Sequence, residues 1–346
     1  MTRVAVANVQ SPFLWGGAEV LADSLVAQFE SRGVEAHLIR IPFAWNPPEQ
    51  ILDNMLATRL LRLGNIDRLI PLKFPAYALQ HENKVIWLLH QFRQAYDLWG
   101  TPHQGIPSTR EGLQLRDAIR TADNLYLPEA KRIYTNSEIT RDRLQTFNGL
   151  DADVLYPPLQ RPELYSCREA QSYVFYPSRI CAAKRQVVAV EAMALVKSDT
   201  RLVIAGPPDT PGDLALLLET IERLKLGSRV TVFPTWIADD EKATLFADCL
   251  GCIYVPIDED SYGYVTLEAY ESRKPVVTFR DSGGTLSVVK DEVTGFVTEP
   301  SAVALADAID RLAADRGRAA RMGVDGRANV ETLGISWDRV IEELLR

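Results

Sequence analysis

Two cations stand directly after a β-branched run in the second half of the chain. The run Tyr173–Tyr176 predicts a strand, and Arg179 follows it. Lys184 opens the amphipathic stretch Lys184–Val196, which predicts the next helix. A cation at the amino end of a helix opposes the helix dipole, and a bound phosphate would remove this conflict. The pattern predicts either an anion site at this strand end or two solvated surface charges.

An acidic loop leads into a predicted helix between Val255 and Ala269. Asp260 lies in the loop and Glu268 in the second turn of the helix, so both carboxylates can face the same side. The backbone amides at the helix start would point at an anion, and they belong to Gly263, Tyr264 and Val265. Together these groups could hold a sugar, its phosphates and a ribose. Acids that merely cap the helix are the plainer alternative.

The first half of the chain carries two further candidates. Gly16-Gly17 stands before the amphipathic stretch Ala18–Arg32, and paired glycines at a helix start let a diphosphate approach the backbone. The spacing is not G-x-G-x-x-G, so the nicotinamide fingerprint is absent, and a simple turn explains the pair equally well. His90 follows the predicted strand Lys84–Leu88, where it could move a proton, although a lone histidine is more often structural.

Strands and helices must position these candidates, and the chain alternates the two along almost its whole length. Alternation of this kind predicts parallel sheets with right-handed crossovers, in which ligands bind at the carboxyl ends of the strands. The predicted strands, six in each half, are Val4–Val9, Glu35–Ile41, Asp67–Ile70, Lys84–Leu88, Arg132–Thr135, Asp153–Tyr156, Tyr173–Tyr176, Arg201–Ala205, Arg229–Phe233, Cys252–Val255, Pro275–Thr278 and Gly295–Val297.

A proline-rich segment, Tyr156–Pro162, predicts the boundary between two α/β domains. The first domain would comprise residues 1–160 and the second residues 161–333. A final helix at about 334–346 is predicted to pack back on the first domain.

Composition excludes several classes of protein. The chain has 346 residues and a net charge of −8, which argues against a nucleic-acid-binding protein. It shows no cleavable signal pattern and no apolar run near the roughly 18 residues that span a bilayer. Four cysteines in this length do not make a disulfide framework, and Cys249 and Cys252 are predicted core residues rather than half of a zinc site. We therefore expect a cytoplasmic protein that binds no nucleic acid.

The order of these motifs resembles the retaining nucleotide-sugar glycosyltransferases of family four. The resemblance rests on Gly16-Gly17, on Arg179 and Lys184, on Asp260 and Glu268-Ala269, and on the segments Arg273–Val277, Ser282-Gly283-Gly284 and Thr294-Gly295-Phe296. It implies the GT-B fold, an α/β architecture in which two Rossmann-like parallel-sheet domains face a central cleft. The first domain would bind the acceptor and the second the nucleotide-sugar donor.

The resemblance also implies a role for the charged residues that match. Arg179 and Lys184 would neutralise the donor diphosphate and stabilise the departing nucleoside diphosphate. Asp260, in the place of the family's first glutamate, would contact the donor sugar, and Glu268 would bind the ribose hydroxyls. Asp260 is one methylene shorter than that glutamate, so Glu259 is an alternative after a one-residue shift.

Backbone amides, a loop and a histidine complete the implied site. The donor would be lined further by Gly16, Gly17, Tyr262, Gly263, Tyr264 and Val265, with its base near Thr235, Trp236 and Ile237. His90 would lie near the reacting sugar as a hydrogen-bond partner or acid/base.

The implied activity is hexosyl transfer with retention, without a metal or other cofactor. The leaving phosphate would take the acceptor proton in a front-face path, because no nucleophile is evident in the sequence. The acceptor would be a sugar, a lipid-linked molecule or a small molecule, in polysaccharide or glycoconjugate assembly or in small-metabolite glycosylation. Two alternatives stay open: a sugar-nucleotide 2-epimerase of the same architecture and a non-catalytic nucleotide-sugar-binding subunit.

The stretch Ile51–Leu63 bears on the cellular setting. Its leucines recur on one side with two arginines among them, which predicts either peripheral contact with the inner face of the membrane or an ordinary surface helix.

Overall fold

The chain folds as two compact units. The computed structural model describes residues 2–13, 16–101, 104–259 and 261–346. The first unit comprises residues 1–160 and 335–346, and the second comprises residues 161–334. Each unit contains parallel β-structure flanked by helices.

Twelve strands are present in the described residues, and each predicted run overlaps one of them. They are β1 (Arg3–Gln10), β2 (Glu35–Pro42), β3 (Arg68–Pro71), β4 (Val85–Leu88), β5 (Arg132–Thr135), β6 (Asp153–Val154), β7 (Tyr173–Pro177), β8 (Arg201–Ala205), β9 (Val230–Phe233), β10 (Gly251–Ile253), β11 (Val276–Phe279) and β12 (Gly295–Thr298). All their ladders are parallel, which confirms the predicted α/β fold.

Eleven α-helices of the described residues cover these sheets. They are α1 (Gly17–Glu30), α2 (Gln50–Leu60), α3 (Arg110–Tyr126), α4 (Glu138–Asn148), α5 (Gln186–Met193), α6 (Pro211–Arg223), α7 (Asp239–Asp248), α8 (Tyr264–Glu271), α9 (Ala302–Ala314), α10 (Arg316–Thr332) and α11 (Trp337–Leu345).

Local sequence signals explain where several helices begin and end. Thr210 caps α6, its hydroxyl accepting a bond from the amide of Asp213, and Pro211 occupies the first helical turn. Ser137 caps α4 in the same way, and Gly149 ends it with a left-handed φ of 67°. These signals are local, because each acts between residues that are close together in the chain.

In the first unit, β1 lies between β2 and β3, and β4, β5 and β6 form a second ladder. The amide of Leu89 donates to the carbonyl of Leu72 at 2.8 Å and joins the two ladders. Because the strand order reverses between β1 and β3, the loops after these two strands lie at a switch point, where open α/β sheets bind ligands.

The core of the first unit is divided by its sheet. Val4 and Val6 point into one cluster of apolar side chains, and Ala5 and Ala7 point into the other, because successive side chains of a strand alternate. Helix α11 packs on the first of these clusters with its buried face, which consists of Trp337, Val340, Ile341 and Leu344. The C-terminal helix thus completes the N-terminal unit.

The second unit contains one six-stranded sheet in the order β12-β11-β10-β7-β8-β9. The chain enters at β7, adds β8 and β9 on one side, and then returns to add β10, β11 and β12 on the other. The order therefore reverses between β7 and β10, which are hydrogen-bonded neighbours. The loops after these two strands carry most of the candidate residues of this unit.

Helix α2 corresponds to the stretch that could rest on a membrane. Ile51, Met55 and Thr58 are buried, whereas Leu56 and Leu60 are 52% and 71% exposed. Within the described ranges, no helix combines the length and the apolar character needed to cross a bilayer. Membrane contact through this helix stays a prediction.

Candidate functional site

The segment after β7 brings Lys184 to the switch point, but not as the first residue of a helix. Residues 182–184 form a single 3₁₀ turn, Arg185 follows with a left-handed φ of 57°, and α5 begins only at Gln186. The prediction that Lys184 opens the helix is therefore wrong by two residues. The reason is tertiary, because the hydroxyl of buried Tyr176 donates to the Lys184 carbonyl and holds this turn against the sheet.

The ammonium of Lys184 lies among polar groups of the loop after β10. It forms an ion pair with Glu259 and a 3.0 Å hydrogen bond with the hydroxyl of Tyr254. The Lys184 side chain is only 12% exposed. Burial by itself would lower the pKa of Lys184, but Tyr254 and Glu259 outweigh it and hold this pKa above the usual value. Burial, with the Glu259 charge, raises the pKa of Tyr254 to about 12.

A glycine allows Tyr254 to occupy this position. Gly263 has a φ of 70°, and a Cβ atom there would lie 2.5 Å from the Tyr254 ring. The same glycine caps α8, whose first turn contains Tyr264 and Val265. The first amides of a helix lack partners within the helix, so this end of α8 can bind an anion. Tyr262 is buried beside it, and Asp260 lies outside the described residues.

The acidic loop is fixed by the turn that follows β11. The Gly284 amide donates to the Glu259 carbonyl at 2.8 Å, and the Asp258 amide donates to the Asp281 carbonyl at 2.8 Å. A Cβ atom on Gly283 would lie 2.4 Å from the Glu259 carbonyl oxygen. A Cβ atom on Gly284 would lie 2.7 Å from the backbone carbonyl carbon of Ser261, so both positions require glycine where the two backbone segments touch.

Arg179 follows β7 and is paired with Asp209 at 2.6 Å. Asp209 belongs to the loop after β8, which approaches closely because Gly206 has no side chain. A Cβ atom on Gly206 would lie 2.2 Å from the Ser178 carbonyl oxygen. The Arg179 and Asp209 side chains are 49% and 34% exposed, so this pair contributes little to stability.

Glu268 lies on α8 and is buried, with a side chain that is 8% exposed. Its carboxylate accepts a 2.7 Å hydrogen bond from the ammonium of Lys242 on α7. Tyr165 also hydrogen-bonds Glu268, and burial, with this carboxylate, raises the pKa of Tyr165. Lys242 and Tyr165 were not candidates from the sequence, because neither stands near a recognisable motif.

The segment predicted to hold a base follows β9. Thr235 and Trp236 are exposed, Trp236 by 67%, and Ile237 is half-buried. Since all strands of this sheet are parallel, the segment lies at the same sheet edge as Arg179, two strands away. A role of this segment in binding a base stays a prediction.

In the first unit, Gly16 caps α1 and Gly17 begins it. The Gly16 amide donates to a Glu19 carboxylate oxygen at 3.0 Å, and the other oxygen pairs with Lys73 at 2.9 Å. Lys73 follows β3, so the ion pair joins the first turn of α1 to the loop after β3. Glu19 and Lys73 were not predicted, although Glu19 in the first turn of a helix is a capping signal.

His90 follows β4 and is half-buried. Its Nδ1 atom lies 2.7 Å from the backbone carbonyl of Gln91. A carbonyl only accepts, so Nδ1 donates this hydrogen bond and fixes the direction of the ring. The Gln91 side chain in turn donates to Asn148 at 3.0 Å.

A buried carboxyl group lies behind this histidine loop. Asp123 on α3 is fully buried and accepts hydrogen bonds from Tyr77 at 2.8 Å and Tyr96 at 2.7 Å. Asn148 donates to the Tyr96 hydroxyl at 3.3 Å, which links the carboxyl group to Gln91. Burial raises the pKa of Asp123 to about 7, although the two tyrosine bonds act in the opposite direction.

Metal-ligating and cysteine residues form no centre in the part of the chain that the structure describes. There, no group of three or more His, Cys, Asp or Glu side chains could hold a metal ion. Cys249 and Cys252 are buried free thiols, as predicted. Metal independence of the activity stays a prediction.

Residues 165–329 match the family model described as glycosyl transferases group 1. The match covers most of the second unit, which comprises residues 161–334. This result confirms the resemblance to glycosyltransferases that the motifs indicated, whereas membership of family four and retention stay predictions.

The chain is similar to proteins that are named as glycosyltransferases. It is 28% identical over 226 residues to human alpha-1,3/1,6-mannosyltransferase ALG2, an alignment covering 58% of this chain and 54% of that protein. It is 33% identical over 242 residues to the D-inositol 3-phosphate glycosyltransferase of Nocardia farcinica, with coverages of 63% and 52%. The chain therefore spans about half the length of these curated relatives.

The fold likeness extends beyond residues 165–329. The sucrose-phosphate synthase of Thermosynechococcus elongatus aligns with 99% of this chain and 97% of its own, with a TM-score of 0.78 and 16% identity. This likeness shows the fold of the whole chain and confirms the predicted GT-B architecture.

Proposed function

We propose that this protein is a retaining glycosyltransferase that moves a sugar from a nucleotide-diphosphate sugar to an acceptor hydroxyl. The observation that carries the proposal is the charge arrangement at the β7/β10 switch point of the second unit. Two cations, Arg179 and Lys184, follow one strand, and the amino end of α8 follows its neighbour. This combination suits a diphosphate, and Glu268 on the same helix suits a ribose.

The named relatives support this proposal. Both are glycosyltransferases by name, and one of them acts on an inositol phosphate. Transfer of a sugar is the chemistry that these names share, and a site that suits a diphosphate leaving group is compatible with it. The acceptor that we propose is a hydroxyl group of a sugar, a lipid-linked molecule or a small molecule.

In the proposed reaction, the bond between the sugar C1 and the diphosphate oxygen breaks while the acceptor oxygen bonds to C1 on the same face. The leaving phosphate takes the acceptor proton, so no metal and no protein nucleophile is required. Arg179 and Lys184 stabilise the charge that develops on the leaving group. His90 hydrogen-bonds the reacting sugar and Asp260 its hydroxyls. Gly16 and Gly17 approach the diphosphate.

A ligand screen tests the donor site first. Thermal unfolding is followed with UDP, GDP and ADP and with their sugars, with and without EDTA. We expect one base to raise the midpoint by mass action, in the presence of EDTA as well, and Arg179→Ala to abolish the shift. If no diphosphate shifts the midpoint, the proposal is contradicted and this domain must bind a different ligand.

A product assay then tests the reaction. With the donor identified, proton NMR of the product distinguishes retention from inversion at the anomeric carbon. Conversion of the donor sugar without any acceptor would instead identify a 2-epimerase. Binding of the donor with neither transfer nor hydrolysis would identify a non-catalytic subunit.

For the cellular setting, we propose a cytoplasmic reaction with peripheral contact of α2 at the membrane. The exposed Leu56 and Leu60 support this contact. Co-sedimentation with vesicles of anionic phospholipid tests it, and Leu56→Ser with Leu60→Ser should abolish binding. Equal sedimentation of the double variant would remove α2 from the interaction.

A further inference from the structure

Lys184 forms a cluster with Glu259 and Tyr254. A lysine that only binds phosphate does not need these two partners. An ammonium group has three N–H donors, and here a carboxylate and a phenol each accept one of them. If Lys184 binds the donor diphosphate, as the proposed function requires, the ligand meets an ammonium that is already paired.

The two partners of Lys184 differ in whether their side chains can move away from its ammonium group. Tyr254 is 4% exposed, and its ring packs against the backbone of Gly263. The Glu259 side chain is 30% exposed and has a path to solvent. Its backbone is anchored, since its carbonyl accepts from the Gly284 amide at 2.8 Å. Glu259 can therefore leave by side-chain rotation, whereas Tyr254 remains in place.

A bound diphosphate would force this rotation. Two negative groups on one ammonium repel each other, and the repulsion is strong where water is largely excluded. Lys184 is such a place, because its side chain is 12% exposed. The apparent affinity of a ligand is lowered by the fraction of protein in the competent state, so a carboxylate that occupies the lysine weakens donor binding.

We propose that Glu259 is an exchangeable counter-ion of Lys184 that the donor diphosphate displaces, and that Tyr254 is the positioning residue that keeps Lys184 aimed during the exchange. Glu259 then sets the affinity for the donor and for the released nucleoside diphosphate. This inference rests on the proposed function.

The Arg179–Asp209 pair provides an internal comparison. Both of its side chains are at least one-third exposed, so water screens the pair and its release changes binding little. We therefore expect the carboxylate paired with buried Lys184 to change the affinity for the diphosphate more than the carboxylate paired with exposed Arg179.

The test measures the Kd of UDP, GDP and ADP by titration calorimetry for four proteins: the wild type, Glu259→Gln, Asp209→Asn and the remote control Glu292→Gln. Glu292 pairs with Arg311 and Arg318 in the same unit and has no part in the donor site. For the diphosphate that binds, we expect Glu259→Gln to lower Kd about tenfold, as for one released charged hydrogen bond. Asp209→Asn and Glu292→Gln should change Kd less than twofold.

Two further variants separate the roles of the partners. Glu259→Asp keeps the charge but shortens the reach, so it should bind the diphosphate with an intermediate Kd even if Glu259→Gln folds poorly. Tyr254→Phe should raise KM for the donor several-fold and change kcat less, because it removes only the hydroxyl that guides Lys184. A Tyr254→Phe protein with a lower kcat and a lower stability but an unchanged KM would show that Tyr254 has only a structural role.

An unchanged or raised Kd of the diphosphate in Glu259→Gln would overturn the exchange. Weaker binding of the nucleotide sugar only, with no change for the diphosphate, would also overturn the exchange, because Glu259 would then contact the sugar. If the wild type binds none of the three diphosphates, the proposed function itself fails, which is a separate outcome.

Discussion

The two units hold their candidate residues by different means. In the second unit, Arg179, Lys184 and Glu268 each have a partner of opposite charge. In the first unit, His90 is oriented by the backbone carbonyl of Gln91, whose side chain begins a chain of hydrogen bonds that ends at buried Asp123. Paired charges suit a ligand that can replace one partner, and an oriented ring suits a residue that must keep its direction. Variants in the second unit should therefore change donor binding, and variants in the first should change turnover.

The largest expected effect is that of Lys184→Met. Loss of one preorganised cation at a leaving phosphate reduces kcat/KM by about 10²- to 10³-fold. Steady-state kinetics against the donor measures the effect. Lys131→Met, which removes an exposed lysine of the first unit, should leave kcat/KM unchanged. Equal kcat/KM values for the Lys184→Met and Lys131→Met proteins would contradict the difference between the two units.

Gly263→Ala should disrupt the second unit through its backbone. The residue has a φ of 70°, and the new Cβ would lie 2.5 Å from the Tyr254 ring, so we expect a loss of about 2–3 kcal/mol in the free energy of unfolding. Urea unfolding followed by circular dichroism measures it. Gly227→Ala is the matched control, since its Cβ meets nothing within 4 Å. A Gly263→Ala protein as stable as the control would show that Tyr254 can move.

His90→Ala should lower kcat by about 10- to 100-fold while the donor Kd changes less than twofold. The physical reason is that an oriented Nε2 atom acts on the reacting sugar rather than on the nucleotide. Rapid-quench turnover and calorimetry provide the two numbers, with exposed His37→Ala as the control. Wild-type turnover of His90→Ala on its true acceptor would remove this residue from the mechanism.

Asp123 should make the stability of the first unit depend on pH. Burial raises the pKa of Asp123 from 3.8 to about 7. Between these values the unfolded chain has lost the proton and the folded chain keeps it, so stability falls as pH rises, by up to about 1.4 kcal/mol per pH unit. Urea unfolding at several pH values measures the slope, which Asp123→Asn should reduce. An identical slope in the variant would place the titrating group elsewhere.

The smallest expected effect is that of a chelator. Transfer measured with excess EDTA should equal transfer with added Mg²⁺ or Mn²⁺, because Arg179 and Lys184 supply the positive charge that a metal would supply. Loss of activity that is restored by one of these metals would contradict the proposed metal independence.

Much of the fold could be predicted from the sequence. Each β-branched run overlaps an observed strand, and Gly263 was placed correctly at the start of α8. These features depend on side-chain periodicity and on residues adjacent in the chain. The sequence motifs also identified Arg179, Lys184 and Glu268 as candidates, because each lies close to the end of a predicted strand or the start of a predicted helix.

The partners of those candidates could not be predicted. Glu259 stands 75 residues after Lys184, and Lys242 stands 26 residues before Glu268. Asp123 meets Tyr77 and Tyr96 across 46 and 27 residues. Such pairs form only when strand order and packing bring distant segments together, and no local pattern encodes them.

The sequence by itself determined the alternation of strands and helices, the helix caps and the types of residue at the strand ends. The tertiary structure alone decided that Lys184 precedes its helix by two residues, which charges neutralise each other, and that the carboxyl group of Asp123 is buried behind His90. The physical reason is range. Backbone preference and periodicity act over a few residues, whereas burial and electrostatic pairing depend on which segments the completed fold places in contact.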